Sequence, residues 1–208
     1  TKATYGEKMR ATFAKIMGLP SENSDNRQRV ARVNSFAENM AWPMSRSCLD
    51  VGSGLGVFPA AMQETGWDCV ALDPDPAATA MIAELAKVET LTGDFMTVTP
   101  GRRFDLVSFN KVLEHVQEPV AMLAQTKGFL SDRGAVYVEL PDGEAALADA
   151  GPEREEFFVE HFDAYSSASI ALLIRAAGFD TISVERIREP SGKYTLRAFA
   201  RPTIDGPP

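Results

Sequence analysis

Apolar side chains recur every three or four residues near the start of the chain, which is the spacing of one face of a helix. This pattern predicts a helix over residues 4–18, with apolar positions at Tyr5, Met9, Phe13 and Met17. The polar segment "GLPSENSDN" interrupts the pattern, and a second helix is predicted over residues 26–41, where a Trp-Pro pair ends it. We expect residues 1–46 to form a helical cap that acts as a lid over a larger domain.

Beyond this cap, short apolar runs alternate with helical segments. Five strands are predicted, at residues 47–51, 69–72, 89–92, 105–109 and 135–139. Four helices are predicted among and after them, at residues 57–65, 76–87, 118–130 and 167–177. Repeated strand–helix–strand units produce a parallel sheet that is covered by helices on both faces.

The last two predicted strands, 179–187 and 193–201, are joined directly through "REPSG" and therefore predict an antiparallel hairpin. The expected fold is α/β: a three-layer αβα sandwich around a seven-stranded sheet, parallel except for the last strand. We expect residues 1–208 to form a single domain with its core at residues 47–201. A long connection, residues 141–164, follows the fifth strand.

Composition limits the classes of partner that the protein is expected to bind and the cellular compartment in which it is expected to lie. The net charge is −8, which argues against nucleic acid as the main partner because phosphate binding needs clustered Lys and Arg. No apolar run approaches the roughly 18 residues that span a membrane, and no signal peptide is visible. Cys48 and Cys69 lie in apolar runs, so we expect buried, reduced thiols and a cytoplasmic location. The start at Thr1 leaves the native N-terminus open.

The stretch "CLDVGSGLGVF" predicts a strand that enters a glycine-rich turn and then a helix. Such turns bring backbone close to a nucleotide-like ligand, because glycine has no Cβ in the way. A phosphate-binding P-loop would need a Lys in the turn, and none is present. A dinucleotide fingerprint would need a third glycine where Val57 or Pro59 stands, so an NAD site is disfavoured.

"LDVGSGLG" closely resembles the D-[VI]-G-x-G-x-G motif of the class I S-adenosylmethionine (SAM)-dependent methyltransferases. The resemblance continues in order over about residues 47–200, through "ALDPDP", "GDF", "FDLVSFNKVLEHV" and "LIRAAGF" with the terminal hairpin. It implies the strand order 3-2-1-4-5-7-6. It also implies SAM as the cofactor and S-adenosylhomocysteine as the product.

The same resemblance implies a set of cofactor-binding residues. Asp73 is expected on the ribose hydroxyls, which a carboxylate can bind in a bidentate manner, and Asp94 with Phe95 is expected at the adenine. Asp50 is expected near the cationic end of the cofactor, and the Lys111 side chain is expected to point away from the sulfonium. The full set is Asp50, Gly52, Ser53, Gly54, Gly56, Asp73, Pro74, Asp94, Phe95, Asn110 and Lys111.

Two histidines are candidates for a general base, and both lie in connections. His115 follows the fourth strand in "VLEHV", where the resemblance places it near the transferred methyl group. His161 lies in residues 141–164, which we expect to cover the acceptor site. Four aromatic residues in and beside this connection predict an apolar wall: Phe157, Phe158, Phe162 and Tyr165. Residues 139–163 contain nine acidic residues and one basic residue, Arg154, which predicts a solvated face.

The predicted function is transfer of a methyl group from SAM to a small molecule of the quinone-precursor, sugar or natural-product type. A nucleic-acid base methyltransferase is disfavoured, because "NKVL" stands where the amino-methylating enzymes carry [DN]-P-P-[YF]. A protein methyltransferase and a catalytically silent SAM-binding module remain alternatives, and an NAD-dependent oxidoreductase is less favoured. We expect no metal site, and a monomer or a homodimer.

Overall fold

The computed structural model describes residues 2–99 and 101–204. The chain begins with two helices, α1 (Lys2–Met17) and α2 (Asp25–Asn39), separated by a short 3-10 turn. Helix α2 begins where it does because the Ser24 side chain accepts a hydrogen bond from the backbone N–H of Arg27. Both predicted helices are confirmed, although the side chain of Tyr5 lies outside the described residues.

The polypeptide divides into two compact units between Val98 and Thr99. After the two helices, the first unit contains β1 (Arg46–Val51), α3 (Val57–Glu64), β2 (Trp67–Asp73), α4 (Pro76–Leu85) and β3 (Glu89–Thr92). Strand β2 pairs in parallel with β1 on one side and with β3 on the other. Nearly every residue of β1 and β2 is buried, as expected of parallel strands with both faces covered.

The second unit contains the remaining elements. In chain order they are β4 (Phe104–Asn110), α5 (Pro119–Gln125), β5 (Leu130–Pro141), α6 (Gly143–Ala150), α7 (Ser167–Ala176), β6 (Phe179–Arg188) and β7 (Tyr194–Pro202). Strand β5 pairs in parallel with β4, whereas β7 runs antiparallel to both β5 and β6. The predicted terminal hairpin is therefore confirmed.

The seven strands have the order β3-β2-β1-β4-β5-β7-β6. This is the order implied by the sequence, with β7 antiparallel and with helices flanking the sheet, so the predicted α/β fold is confirmed. The single domain over residues 1–208 stays a prediction. None of the helices in the described part of the chain combines the length and apolar character of a membrane span.

Three details differ from the sequence prediction. Strand β5 is twelve residues long and begins at Leu130, where the helix predicted over residues 118–130 was expected to end. That helix stops at Gln125 and a 3-10 turn follows. Helix α6 was not predicted, and it starts because the Asp142 side chain accepts a hydrogen bond from the Ala145 N–H.

Both cysteines lie in the core of the first unit. Cys48 in β1 and Cys69 in β2 are partners in the parallel ladder, and both are buried and free of disulfide bonds. The prediction of buried, reduced thiols is confirmed.

Candidate functional site

The glycine turn after β1 has a left-handed backbone at each of its three glycines. The φ angles of Gly52, Gly54 and Gly56 are 70°, 54° and 72°, a conformation that L-residues rarely adopt. A Cβ at Gly56 would lie 2.9 Å from the side chain of Ile82 in α4. A Cβ at Gly54, in contrast, would meet no atom within 4 Å. The turn therefore needs Gly56 for packing, and the space beside Gly54 is open.

Hydrogen bonds within the first unit hold this turn in place. The N–H groups of Gly52 and Ser53 both donate to the carbonyl of Leu72 at the end of β2, at 2.8 and 3.1 Å. The Ser53 hydroxyl donates to the carbonyl of Asp50 at 2.8 Å, and the Gly56 N–H donates to the Ser53 carbonyl at 2.8 Å. The loop is thus preorganised by the chain itself.

Asp73 joins the glycine turn to the turn that follows β2. Its Oδ2 accepts from the Gly54 N–H and its Oδ1 accepts from the Asp75 N–H, each at 3.0 Å. The residue is 9% exposed, and each carboxylate oxygen retains capacity for a further donor. Sequence reasoning missed this bracing role. The predicted ribose contact stays a prediction, as does the role of Pro74, which is exposed beside it.

The other predicted cofactor residues of the first unit occupy different environments. Asp50 is buried at the end of β1, with 2% of its surface exposed. Asp94 is exposed, and its Oδ1 accepts from the Met96 N–H at 2.9 Å, which closes a local turn. Phe95 is buried, with 2% of its surface exposed. The adenine contact predicted for Asp94 and Phe95 stays a prediction.

In the second unit, Asn110 ends β4 and Lys111 follows with a left-handed φ of 58°. The Lys111 N–H donates to the carbonyl of Glu139 at 2.9 Å. Its ammonium nitrogen lies 3.2 Å from Oε1 of Glu189, a carboxylate that is almost fully buried. The Lys111 side chain is therefore committed to an ion pair with the β6–β7 connection.

A buried polar network lies beside this loop, and the sequence did not reveal it. Glu139 in β5 and Arg197 in β7 are opposite one another in the antiparallel ladder, and Arg197 Nε donates to Glu139 Oε2 at 3.2 Å. The Tyr137 hydroxyl donates to the same oxygen at 2.7 Å. Glu139 is 0% and Arg197 5% exposed, so each charge is desolvated and depends on the other.

The two candidate bases, distant in sequence, are neighbours in the second unit. The rings of His115 and His161 lie edge to face with their centroids 4.8 Å apart. Nδ1 of His115 lies 3.1 Å from the Glu160 carbonyl, and Nδ1 of His161 lies 3.0 Å from the Glu156 carbonyl. A carbonyl oxygen only accepts, so Nδ1 carries the proton in both rings. In the neutral ring, Nε2 then has the free lone pair.

Glu114 completes the cluster. It is 1% exposed, and its carbonyl accepts from the Phe162 N–H at 2.8 Å. Burial raises the pKa of its carboxyl group to about 7, and the nearby negative charge of Glu139 adds to the rise, while its own backbone N–H and the positive charge of Lys111 oppose it. Hydrogen bonds therefore join the residues on either side of His161 to the loop after β4.

A cavity of about 130 Å³ lies within the second unit beside this cluster. The residues that line it carry both signs of charge. The lining includes Lys111, Glu114, His115, Glu156, His161 and Tyr194.

The acidic residues of the 141–164 connection are not simply a solvated face. Arg186 of β6 pairs with the buried Asp142 at 2.6 Å, and Lys193 pairs with Glu155 at 3.1 Å. Arg154 binds Glu156 through two nitrogens, at 2.9 and 3.0 Å. Burial alone would raise the pKa of Glu156, but the hydrogen bonds from Arg154 and from its own backbone N–H, together with the positive charges of Arg154 and Lys111, hold the pKa below its usual value. The solvated-face prediction was wrong for Asp142 and Glu156, which are buried and paired with Arg186 and Arg154, whereas Glu155 is exposed.

The predicted apolar wall is divided in the structure. Tyr165 is buried at 6% exposure, whereas Phe158 and Phe162 are 56% and 59% exposed. Phe157 is half-buried. The two exposed aromatic side chains flank His161 in sequence.

The strand order and the glycine turn together define a Rossmann-like α/β protein of the methyltransferase class. The chain belongs to the methyltransferase-domain family, whose model, described as "Methyltransferase domain", matches residues 12–184.

Two curated relatives match shorter parts of the chain than the family model does. It is 33% identical over 92 residues to a ubiquinone biosynthesis O-methyltransferase from Cereibacter sphaeroides, covering 41% of this chain and 37% of that protein. It is 29% identical over 104 residues to a cypemycin N-terminal methyltransferase from a Streptomyces species, covering 47% and 42%. The chain thus spans about two fifths of the length of these curated relatives.

A solved structure shares the fold over nearly the whole chain. It is the 1,6-didemethyltoxoflavin-N1-methyltransferase of Burkholderia thailandensis, with bound 1,6-didemethyltoxoflavin and S-adenosylhomocysteine. The TM-score is 0.67 at 20% identity, covering 97% of this chain and 88% of that chain. At this identity the similarity establishes the fold.

Proposed function

We propose that this protein transfers a methyl group from SAM to a small-molecule acceptor and releases S-adenosylhomocysteine. The observation that carries the proposal is the preorganised glycine turn. Its three glycines are left-handed, the space beside Gly54 is open, and Asp73 is fixed beside it by a hydrogen bond. Membership of the methyltransferase-domain family also supports SAM as the methyl donor.

The residues of the first unit fit the chemical groups of SAM. Asp73 has carboxylate lone pairs that remain for the two ribose hydroxyls after it has accepted from two N–H groups. Asp50 supplies a buried negative charge at the end of β1, which suits the cationic end of the donor. We assign the adenine to Asp94 and Phe95, and a supporting role at the turn to Gly52, Ser53 and Gly56. Asn110 and Lys111, which lie in the second unit, stay predicted cofactor contacts through their backbone carbonyls.

SAM, when bound, supplies a methyl group that is already activated by its positively charged sulfur. The chain's own task is to orient an acceptor, exclude water and receive the acceptor's proton. We assign the proton to Nε2 of His115 or His161, because the carbonyls of Glu160 and Glu156 keep the hydrogen on Nδ1 of each ring. The ionic links between residues 141–164 and the hairpin hold His161 in place.

The cavity supports a compact and polar acceptor. Its volume of about 130 Å³ suits the reacting part of a small molecule, and its lining offers both cationic and carboxylate groups. The relatives act, by name, in ubiquinone biosynthesis, on cypemycin and on 1,6-didemethyltoxoflavin, through O- or N-methylation. We therefore propose an acceptor with a dissociable O–H or N–H of the quinone-precursor, sugar or natural-product type.

The setting of the reaction is also part of the proposal. Two buried, free cysteines suit the reducing conditions of the cytoplasm. The net charge of −8 disfavours nucleic acid as the acceptor. We propose a monomer or homodimer, and a lid role for the N-terminal helices.

The test of the activity is a screen for S-adenosylhomocysteine release. The full chain is incubated with SAM and with pools of phenolic, hydroxylated, amine-containing and peptide acceptors. Release with a phenolic, hydroxylated or small amine pool supports the proposal. Release with peptides alone indicates a protein methyltransferase. Absence of release from every pool, by a protein that binds SAM, indicates a silent SAM-binding module.

A further inference from the structure

The cluster of Glu114, His115 and His161 has the composition of a metal site. One potential ligand atom from each residue lies within 4.8 Å of the other two. Within the described parts of the chain this is the one group of three or more His, Cys, Asp or Glu residues with such proximity. This cluster could not be predicted from the sequence, because His161 comes from a different connection from the Glu114–His115 pair.

Both histidines hold the Nδ1 hydrogen in the way that many metal-bound histidines do. Each Nδ1–H donates to a backbone carbonyl, at 3.1 Å for His115 and 3.0 Å for His161. In metalloproteins, a hydrogen bond of this kind from the second ring nitrogen fixes the tautomer and the ring plane. The lone pairs of both rings are therefore on Nε2, and the chain has no histidines besides these two.

Glu114 provides a second, independent observation. Its side chain is 1% exposed, yet its Oε2 has no hydrogen-bond partner among the described residues. A buried carboxylate oxygen without a partner is energetically costly. A cation bound to that oxygen would remove the cost.

The donor set selects the class of cation. Two imidazole nitrogens and one carboxylate oxygen are typical of zinc and related transition metals, whereas magnesium and calcium prefer oxygen ligands throughout. Zinc bonds of about 2.0–2.1 Å at tetrahedral angles place ligand atoms roughly 3.3 Å apart. The two histidines, which are exposed and half-buried, have room to move closer to the fixed Glu114.

We propose that Glu114, His115 and His161 form a binding site for a divalent transition-metal ion of the zinc class. Three protein ligands leave one position open, as in catalytic zinc sites, and all three residues line the 130 Å³ cavity. The ion joins the 141–164 connection to the loop after β4. It also occupies the Nε2 lone pairs, so metal binding and proton acceptance by these histidines exclude one another.

The test uses the full, tag-free chain stripped of metal with a chelator and then titrated with zinc chloride by calorimetry. Cobalt(II) provides a second readout through its visible absorption, which reports ligand number and geometry. We expect one saturable site, with the intense absorption of four-coordinate cobalt. In His161→Asn, the side-chain amide N–H replaces the Nδ1–H that donates to the Glu156 carbonyl, and the proposed metal-binding atom Nε2 is absent. This substitution should weaken binding by more than the 10–100-fold that is typical for loss of an outer partner.

Glu160→Gln is the matched control, because it removes a charge from the same segment while its backbone carbonyl continues to hold His115. It should bind zinc like the wild type. His115→Asn is the second ligand variant, and circular dichroism checks that each variant is folded. Absence of a saturable site in the wild type, or equal affinity of the wild type and both histidine variants, would overturn the proposal. A separate SAM titration of the metal-free chain keeps this result distinct from the proposed function.

Discussion

The backbone N–H of Gly54 donates to Oδ2 of Asp73 across 3.0 Å. This bond makes Asp73 a structural brace of the glycine turn as well as the proposed ribose ligand. Loss of the carboxylate should therefore weaken SAM binding in two ways. It removes a hydrogen-bond acceptor for the ribose, and it removes the hydrogen bond that holds the glycine turn in place.

We expect Asp73→Ala to weaken SAM binding by about ten- to a hundredfold, which corresponds to roughly 1.5–3 kcal/mol for hydrogen bonds to a charged group. Calorimetry measures the change. Asp75→Asn is the control, since it removes a carboxylate two residues away and retains a good helix N-cap. Equal SAM affinity of a folded Asp73→Ala variant and the control would exclude Asp73 from the site.

Gly56→Ala should destabilise the first unit. The new Cβ would lie 2.9 Å from Ile82, at a φ of 72°, and overpacking of a core typically costs about 1–3 kcal/mol beyond the backbone strain. Gly66→Ala isolates the strain, because its φ is 90° and a Cβ there meets nothing within 4 Å. Urea unfolding should give a larger loss for Gly56→Ala. Equal losses would mean that contact with Ile82 is unimportant.

Glu114 should make stability depend on pH. Its folded pKa is raised to about 7 from an ordinary value of 4.5, so the folded state holds a proton that the unfolded state has lost. Glu114 contributes most to the free energy of unfolding below pH 4.5. As the pH rises to 7, this contribution falls by about 3 kcal/mol. Glu114→Gln avoids this loss.

The measurement is unfolding of the wild type and Glu114→Gln in EDTA at several pH values. The variant should gain stability relative to the wild type between pH 5 and pH 8. Glu160→Gln, which alters an exposed acid of the same region, should show no such gain. Parallel stability curves for the wild type and Glu114→Gln would contradict the assignment.

Arg197→Met should cost about 3–5 kcal/mol of folding stability, because it removes a buried cation that pairs with the fully buried Glu139. Arg188→Met is the matched control. Its partner Asp149 is 3.7 Å away and both side chains are more than half exposed, so the loss should stay below about 1 kcal/mol. Denaturant unfolding compares the two. Similar small losses would show that water reaches Glu139.

The fold was predictable because its signals are local. Apolar runs such as that of β1, followed by a glycine turn, and the short link before β7 determine strand, turn and hairpin without knowledge of distant contacts. Helix α6 escaped prediction because its start depends on the side chain of Asp142. The early start of β5 at Leu130 depends on pairing with Phe104.

The site was predictable only where its residues follow one another in sequence. The glycines and Asp73 belong to a recognisable motif, but the bond between Asp73 and Gly54 crosses from one turn to another. The contact between His115 and His161 joins two connections, and the pairing of Glu139 with Arg197 depends on strand register. Such relationships require the folded chain.

SAM as the methyl donor is tested by a calorimetric titration of the wild-type chain with SAM, followed by the same titration with NAD. We expect saturable binding of SAM at one site and no detectable heat of binding with NAD. Binding of NAD in place of SAM would exclude SAM as the donor, as would the absence of SAM binding by a protein whose circular dichroism shows it to be folded.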